Sequence, residues 1–499
     1  MKSRAKLDYC GNGKTLLHCG LFAEGGNRYA SAMKIPQLIA MLIVAGAAVI
    51  LLLSQNAGAQ FHSVALSGKV GVATVDITPE KPIRLSGYGS RTAPSEGVEQ
   101  KLFAKALCFQ NKSILLTVDT IGVPARVTKR VHDELSKSIG IKRENFVICS
   151  THSHTAPTLH GTLPYMFPSG LSDEEKAVIK DYTDDLIEKL VAVSEKAYES
   201  PQPARVSWGK GKLTFAANRR VIEDGKWKGF GVQKDGPVDH SFPMIKIEDA
   251  DKKLIAIFAN YACHCTTLGG NFNRVHGDWA GVAQEEIEKR HPGATALIAI
   301  GCGADQNPEP RGELDMAVAH GKAVADEVDR LLVAELQHLP KNPTGIYNEI
   351  RLPLETPPDR SVWEDQVEKK LKGHHFAKGM LGKLDRGEPL DTDVSYPIQS
   401  WSFGEDLAMV FLAGEVVVDY ANRFYREFDA DRLWINAYSN DVPCYIPSRR
   451  IHAERGYEVD YSMVYYGKPA RLTAGVEDQI AEEVAAQISP RFKTPDIVR

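Results

Sequence analysis

Asn145-Phe146-Val147-Ile148-Cys149-Ser150, followed at once by Thr151-His152-Ser153-His154-Thr155, reads as a buried strand that ends in a polar rim. The apolar run has the length and the β-branched and aromatic content of a strand, then stops at side chains able to do chemistry. Four other runs repeat the pattern. Residues 113–118 lead into Asp119, 254–262 into His264, 294–300 into Gly301-Cys302-Gly303-Ala304-Asp305, and 407–412 into Gly414-Glu415. In open α/β sheets the crevice beyond the carboxyl ends of the strands is where ligands bind, so one shared pocket is expected there.

Longer amphipathic segments lie between these runs, the alternation of a mixed or parallel sheet flanked by helices. The periodicity predicts strands at 102–110, 113–118, 145–150, 254–261, 294–300, 407–412 and 432–438. It predicts helices at 125–138, 173–199, 280–290, 314–337, 416–427 and 476–488. The expected fold is α/β, a mixed β-sheet core flanked by helices with the site at the carboxyl ends of strands. Residues 340–397 are dense in Pro, Lys, Asp and Glu with two charged helical patterns, and are expected to form a surface excursion, because so little apolar area does not fold alone. A Gly404-Glu405-Asp406 turn is expected to join 398–403 to 407–412 as a hairpin.

A chain of 499 residues with 43% apolar and 25% charged content belongs among globular proteins rather than disordered or multispanning ones. Its net charge of -4 provides no field for a polyanion, which argues against nucleic acid as a partner. Residues 1–59 form a distinct leader: Met33-Lys34 opens an apolar run from Ile35 to Leu53 that ends in Ala57-Gly58-Ala59. A positive residue, a long apolar stretch and a small-x-small site make an export signal cleaved near Ala59, with a periplasmic or extracellular destination and Met1 or Met33 as the start. The other reading is an N-terminal membrane anchor, since a span takes about 20 apolar residues. The cysteines are sparse, and Cys149, Cys263, Cys265 and Cys302 sit inside apolar runs, as buried free thiols do.

In extended backbone, residues two apart project to the same side, so His152 and His154 can face one ion. Alone, such a pair is equally a hydrogen-bonded surface feature. His264 ends a second apolar strand, where a lone histidine is also a common core residue. Glu415 would open the helix at 416–427, whose N-terminal dipole favours a carboxylate in any case. Together, two imidazoles and a carboxylate with one open position form the donor set of a catalytic zinc. Cys263 and Cys265 would face away from His264, because side chains alternate along a strand. Asp278 reads as an N-cap for the helix at 280–290. Asp305 is either a turn former or part of a Gly-rich loop whose N–H groups face a developing oxyanion. Asp119 either ends a strand or orients a ligand imidazole through its second nitrogen.

Gly71-Val72-Ala73-Thr74-Val75-Asp76-Ile77-Thr78-Pro79 with Gly87-Tyr88, then Thr151-His152-Ser153-His154, Asn260-Tyr261-Ala262-Cys263-His264 and Gly414-Glu415, resemble the neutral ceramidase family in order and spacing. The resemblance covers about residues 70–490. It implies a zinc hydrolase of a lipid amide, with Zn2+ held by His152, His264 and Glu415 and with His154 beside the metal in proton transfer. It also implies Arg219 near the substrate and Tyr457 as a site tyrosine. It further implies a catalytic α/β domain over 60–499, without the immunoglobulin-like domain that follows it in the family, because the chain ends at Arg499.

Two positions depart from the family. Its further zinc ligand, a tyrosine, falls at Val442, which leaves Asp441 or a water to supply a hard oxygen. Its site serine falls at Gln306, which removes any route that uses that hydroxyl as nucleophile. The expected reaction is therefore amide hydrolysis by metal-activated water, of the N-acylsphingosine kind, with His154 carrying the proton, Arg219 or backbone groups around Gly303 assisting the oxyanion, and Asp305 counted among the catalytic residues. A small-molecule or lipid substrate is the expected partner, with contact to a membrane surface. Two rivals stand beside this reading: an exported non-catalytic binding protein on the same fold, and a zinc hydrolase of another amide or ester. A TIM-barrel amidohydrolase also uses His-x-His, but on an early strand and with further histidine and aspartate ligands on later ones.

Overall fold

The computed structural model of the chain describes residues 66–494, so the leader expected over 1–59 lies outside the described residues. Alternation along the strands builds a layered α/β structure. In Phe103–Phe109, Leu107 and Phe109 face one hydrophobic cluster while Ala104, Ala106 and Cys108 face another, as a two-residue period requires when a strand is buried on both sides.

The large sheet runs in the order Thr295–Ile300, Leu254–Tyr261, Ser241–Glu248, Pro201–Lys212, Gly68–Asp76, Phe103–Phe109, Ser113–Val118, Phe146–Ser150, with the short strand Gln337–His338 paired to Pro201–Lys212. The pair at each end is parallel and the strands between are antiparallel, so the sheet is mixed. A second sheet takes Thr344–Pro353, Asp393–Phe403, Leu407–Leu412 and Leu433–Asn436, its last pair parallel. The two sheets meet through Phe109, Val147, Phe258, Trp401, Phe411 and Trp434, with Phe258 stacked on Trp434 at 4.9 Å.

Helices cover the outer faces. Ala125–Ile139 and Asp173–Glu199 bury Val127, Val131, Leu135, Leu186 and Leu190 against one half of the large sheet. Asp278–Arg290 and Leu314–Leu332 cover the other half, while Val418–Glu427 and Val476–Gln487 back the second sheet. Among the described residues, no helix is long and apolar enough to cross a membrane. The described cysteines are buried and free.

The strongly periodic elements stand where expected, and the hairpin closes through Gly404 with Phe403 opposite Leu407. The differences fall where the pattern is weak. Pro201–Lys212 begins Pro-Gln-Pro and carries Gly and Lys, and Ser241–Glu248 is interrupted by Pro243, yet both are central strands. The segment at 340–397 is less of an excursion than its composition implies. Its ends, Thr344–Pro353 and Asp393–Phe403, pair along their whole lengths. Thr344–Pro353 is a largely exposed edge strand and therefore lacks an apolar face to betray it. The helices Arg360–Glu368 and His374–Asp385 between them share a small cluster of Trp363, Phe376, Ala377 and Met380.

One connection gathers the site. After Leu433–Asn436 the chain bridges both edge strands of the large sheet: Ala437 N donates to Ile300 O at 2.9 Å, and Asn440 N to Ile148 O at 2.8 Å. The loops that follow Phe146–Ser150 and Leu254–Tyr261 are thereby brought together, and they pair directly through a parallel bridge between Ser153 and Cys265.

Candidate metal centre and active site

His152, His154 and His264 converge in the buried interior. His152 has a left-handed backbone, φ 55°, so it is not part of an extended strand and the side-by-side projection expected of His-x-His does not arise from strand alternation. The pair still meets, Nε2 to Nε2, at 3.1 Å. Such a backbone costs on the order of 1–3 kcal/mol at a non-glycine residue and persists only where its surroundings hold it.

The ring orientations are set by backbone carbonyls. His152 Nδ1 donates to Ile121 O at 2.6 Å and His264 Nδ1 donates to Gly303 O at 2.7 Å. A carbonyl only accepts, so each ring carries its proton on Nδ1 and presents the Nε2 lone pair inward. Asp119, the sequence candidate for this orienting role, instead accepts from Phe103 N and Gln284 Nε2. Gly303 is required at its place, since a Cβ there would lie 2.6 Å from Cys263 N. Its own N–H donates to Gly301 O, and Ala304 N donates to Val416 O, so these groups are not free to hold an oxyanion as expected.

Glu415 completes the set. Its Oε2 lies 3.2 Å from both His152 Nε2 and His264 Nε2, and is itself buried without a hydrogen-bond partner. Three lone-pair atoms thus face one another with the Nδ1 protons pointing away, an arrangement that suits a cation among them. Ligand atoms around a tetrahedral zinc at about 2.0–2.1 Å stand roughly 3.3–3.4 Å apart, close to the spacing here. Burial, then Arg219, depresses His264 to about 3.

His154 differs from the other two imidazoles. Its Nδ1 is buried and unpartnered, and its ring is boxed by Gly87, where a Cβ would fall 2.4 Å from Nδ1, and by Tyr88 at 5.1 Å. Burial, followed by His152 and His264, lowers its pKa well below the ordinary value, so it is neutral.

Arg219 reaches the same place from the turn after Ala216–Asn218. Its Nη1 stands 3.2 Å from His264 Nε2, its Nη2 donates to Tyr445 Oη at 3.1 Å, and its Nη2 pairs with Glu458 Oε1 at 3.0 Å. The guanidinium is ringed by Phe230, Tyr445 and Tyr457 at 5.0, 5.7 and 5.6 Å. Burial opposes its charge, but Tyr445 and Glu458 overcome that and keep it protonated.

Two expected site acids do not face the histidines. The Asp305 carboxylate accepts from Val418 N at 2.8 Å and Asn218 Nδ2 at 3.0 Å, so it ties the start of a helix to the strand that leads into Arg219. The Asp441 carboxylate accepts from Ala125 N and Val442 N, both at 2.8 Å, and so secures the start of the helix Ala125–Ile139 rather than supplying a metal oxygen. Gln306 is committed as well: its amide donates to Ala262 O and Cys302 O and accepts from Asp239 N.

Four residues escaped the sequence reading: Glu458, Tyr445, Tyr466 and Tyr438. Tyr466 Oη donates to Glu415 Oε1, and Tyr438 lies 4.3 Å from the His152 ring. Tyrosines inside apolar runs read as core, and an acid between Tyr457 and Val459 carries no rim signal.

Residues 69–308 match the family model described as "Neutral/alkaline non-lysosomal ceramidase, N-terminal". Over that segment the chain is similar to the neutral ceramidases. It is 22% identical over 267 residues to the neutral ceramidase of Drosophila melanogaster, covering 48% of this chain and 36% of that protein. With the neutral ceramidase of Drosophila pseudoobscura pseudoobscura it shares 22% over 262 residues, 35% of that protein, so the match spans only about a third of these curated relatives. The fold matches a solved "Ceramidase complexed with C2" with a TM-score of 0.64 at 17% identity, over 87% of this chain and 78% of that one. The neutral ceramidase of Pseudomonas aeruginosa gives 0.62 at 17% identity, over 86% and 77%. The mixed α/β architecture is thus that of solved ceramidases, and the buried histidine group is compatible with a metal ion.

Proposed function

We propose that the chain is a zinc-dependent hydrolase of the amide bond of ceramide or a related N-acyl lipid, with the metal at His152, His264 and Glu415. One observation carries the reading: two imidazoles fixed by backbone carbonyls turn their Nε2 atoms to within 3.2 Å of one orphaned carboxylate oxygen. Nitrogen and carboxylate oxygen donors suit zinc.

Zinc, when bound, acts as a Lewis acid and makes a nucleophilic water available near neutral pH. His154 is the neutral base beside it: it accepts the proton of the attacking water and returns it to the leaving amine. Arg219, held by Glu458 and Tyr445, holds the developing oxyanion. Phe230, Tyr445 and Tyr457 supply an apolar wall for an acyl chain beside the guanidinium. Gln306 has no hydroxyl to offer, which favours direct attack by water over a covalent intermediate at that position. The leader at 1–59 supports export, and a lipid substrate would bring the protein to a membrane surface.

Zinc content and turnover of a panel of N-acyl lipids, N-acyl amino acids and simple esters test the proposal in the wild type and in Glu415→Ala. The expected result is one zinc per chain with amide turnover in the wild type, and neither in the variant. Amide turnover that persists in a zinc-free variant overturns it.

A further inference from the structure

Glu415 has its backbone fixed before its side chain is placed. Gly414, φ 78°, donates to Asp441 O at 2.8 Å, Glu415 N donates to Cys444 O at 3.0 Å, and Glu415-Val416 pairs in parallel with Tyr445-Ile446. What this leaves open is the rotation of the carboxylate, which has two equivalent oxygens. In the structure they are not equivalent. Oε2 faces His152 and His264, while Oε1 is taken by the phenol of Tyr466. A carboxylate only accepts, so the phenol is the donor.

We infer that Tyr466 is a positioning residue for the metal centre, donating to Glu415 Oε1 so that Oε2 alone is offered to the ion. The inference rests on the metal-site reading above and extends it to a residue outside the donor set. Tyr466 reaches Glu415 from a tight turn in which Tyr465 N donates to Ser462 O, Gly467 N to Val464 O and Lys468 N to Met463 O, with Gly467 at φ 68°. Tyr165 N donates to Tyr465 O and ties the turn to another segment. The phenol is buried with the carboxylate it serves, and its ring packs 6.3 Å from Tyr445, which flanks His264. The turn, its tether and the burial leave the hydroxyl little choice of partner. A second phenol reaches the centre at Tyr445, whose Oη lies 3.3 Å from His264 Nε2.

Outer partners of this kind orient a ligand and typically account for about 10–100-fold in metal affinity. The test is zinc affinity by chelator competition on the full chain, in the wild type, Tyr466→Phe and the neighbouring Tyr465→Phe, with the thermal midpoint of each measured in excess EDTA. The expected outcome is zinc bound about 10–100-fold more weakly by Tyr466→Phe, with the metal-free midpoint and the Tyr465→Phe affinity unchanged. The cobalt-loaded variant should lose visible absorption intensity, because a freed carboxylate adds its second oxygen and raises the coordination number. Should the phenylalanine variant melt early even in EDTA, the pair Tyr466→Gln and Tyr466→Leu carries the same comparison, since only glutamine can donate to Oε1. Equal zinc affinity and cobalt spectra across wild type and variants overturn the role of Tyr466 while leaving the metal site standing. A wild-type protein that binds no zinc overturns the site itself.

Discussion

His152 Nδ1 donates to the carbonyl of Ile121 at 2.6 Å, and that one bond decides which face of the imidazole looks at Glu415. The matching bond from His264 to Gly303 does the same for the second ring, whereas His154 has no such anchor. The three histidines therefore should not respond alike to removal.

His152→Ala and His264→Ala are expected to abolish zinc binding, because each removes an oriented donor. His154→Ala is expected to keep zinc within a few-fold and to lose turnover by about 10²–10⁴, the usual contribution of a general base. Zinc stoichiometry measured beside kcat separates the classes; loss of zinc in His154→Ala would make that residue a ligand.

Glu458 is fully buried between Arg219 and Arg220. Glu458→Ala leaves two buried guanidiniums short of a partner, which should cost about 3–5 kcal/mol. Urea unfolding of wild type and variant checks this, and a change below about 1 kcal/mol would mean that Tyr445 on Arg219 and Glu454, 3.1 Å from Arg220 Nη2, suffice.

Asp441→Ala should lower stability by about 1 kcal/mol through loss of the acceptor at Ala125 N, with zinc affinity unchanged. Thermal unfolding and zinc titration together read the two halves of this expectation. A drop in affinity without a drop in stability would return Asp441 to the metal.

Burial, followed by the Asp419 charge, raises the Asp305 carboxyl to about 7; Glu458 also raises it, while the Val418 amide and Arg450 lower it. The folded state then holds this proton more tightly than the unfolded chain, where the group titrates near about 4. Its contribution to stability is greatest below pH about 4 and declines as the pH rises to about 7. Asp305→Asn should flatten that decline. Urea midpoints at pH 5 and pH 8 should differ less in the variant than in the wild type; an unchanged difference refutes the assignment.

Much was legible in the chain before any coordinates. The runs Ser113–Val118, Leu254–Tyr261 and Leu407–Leu412 stand where their periodicity put them, because a strand buried on both faces must be apolar throughout and stops where the polarity changes. His152, His154, His264 and Glu415 were found by the same logic, as charged or coordinating side chains directly after buried runs. Thr344–Pro353 was not found, because an exposed edge strand carries no apolar face.

Burial periodicity and residue chemistry are local properties, and they suffice for the layered α/β class and for the candidates at the strand ends. Which of the candidates meet, and which way each points, follows from contacts between distant segments. Asp305 and Asp441 turned to helix starts, Asp119 to strand amides, and Tyr466 arrived from a turn far along the chain. The reason is physical: a buried polar group must find a partner, and which partner lies within about 3 Å depends on contacts between segments that no local pattern encodes.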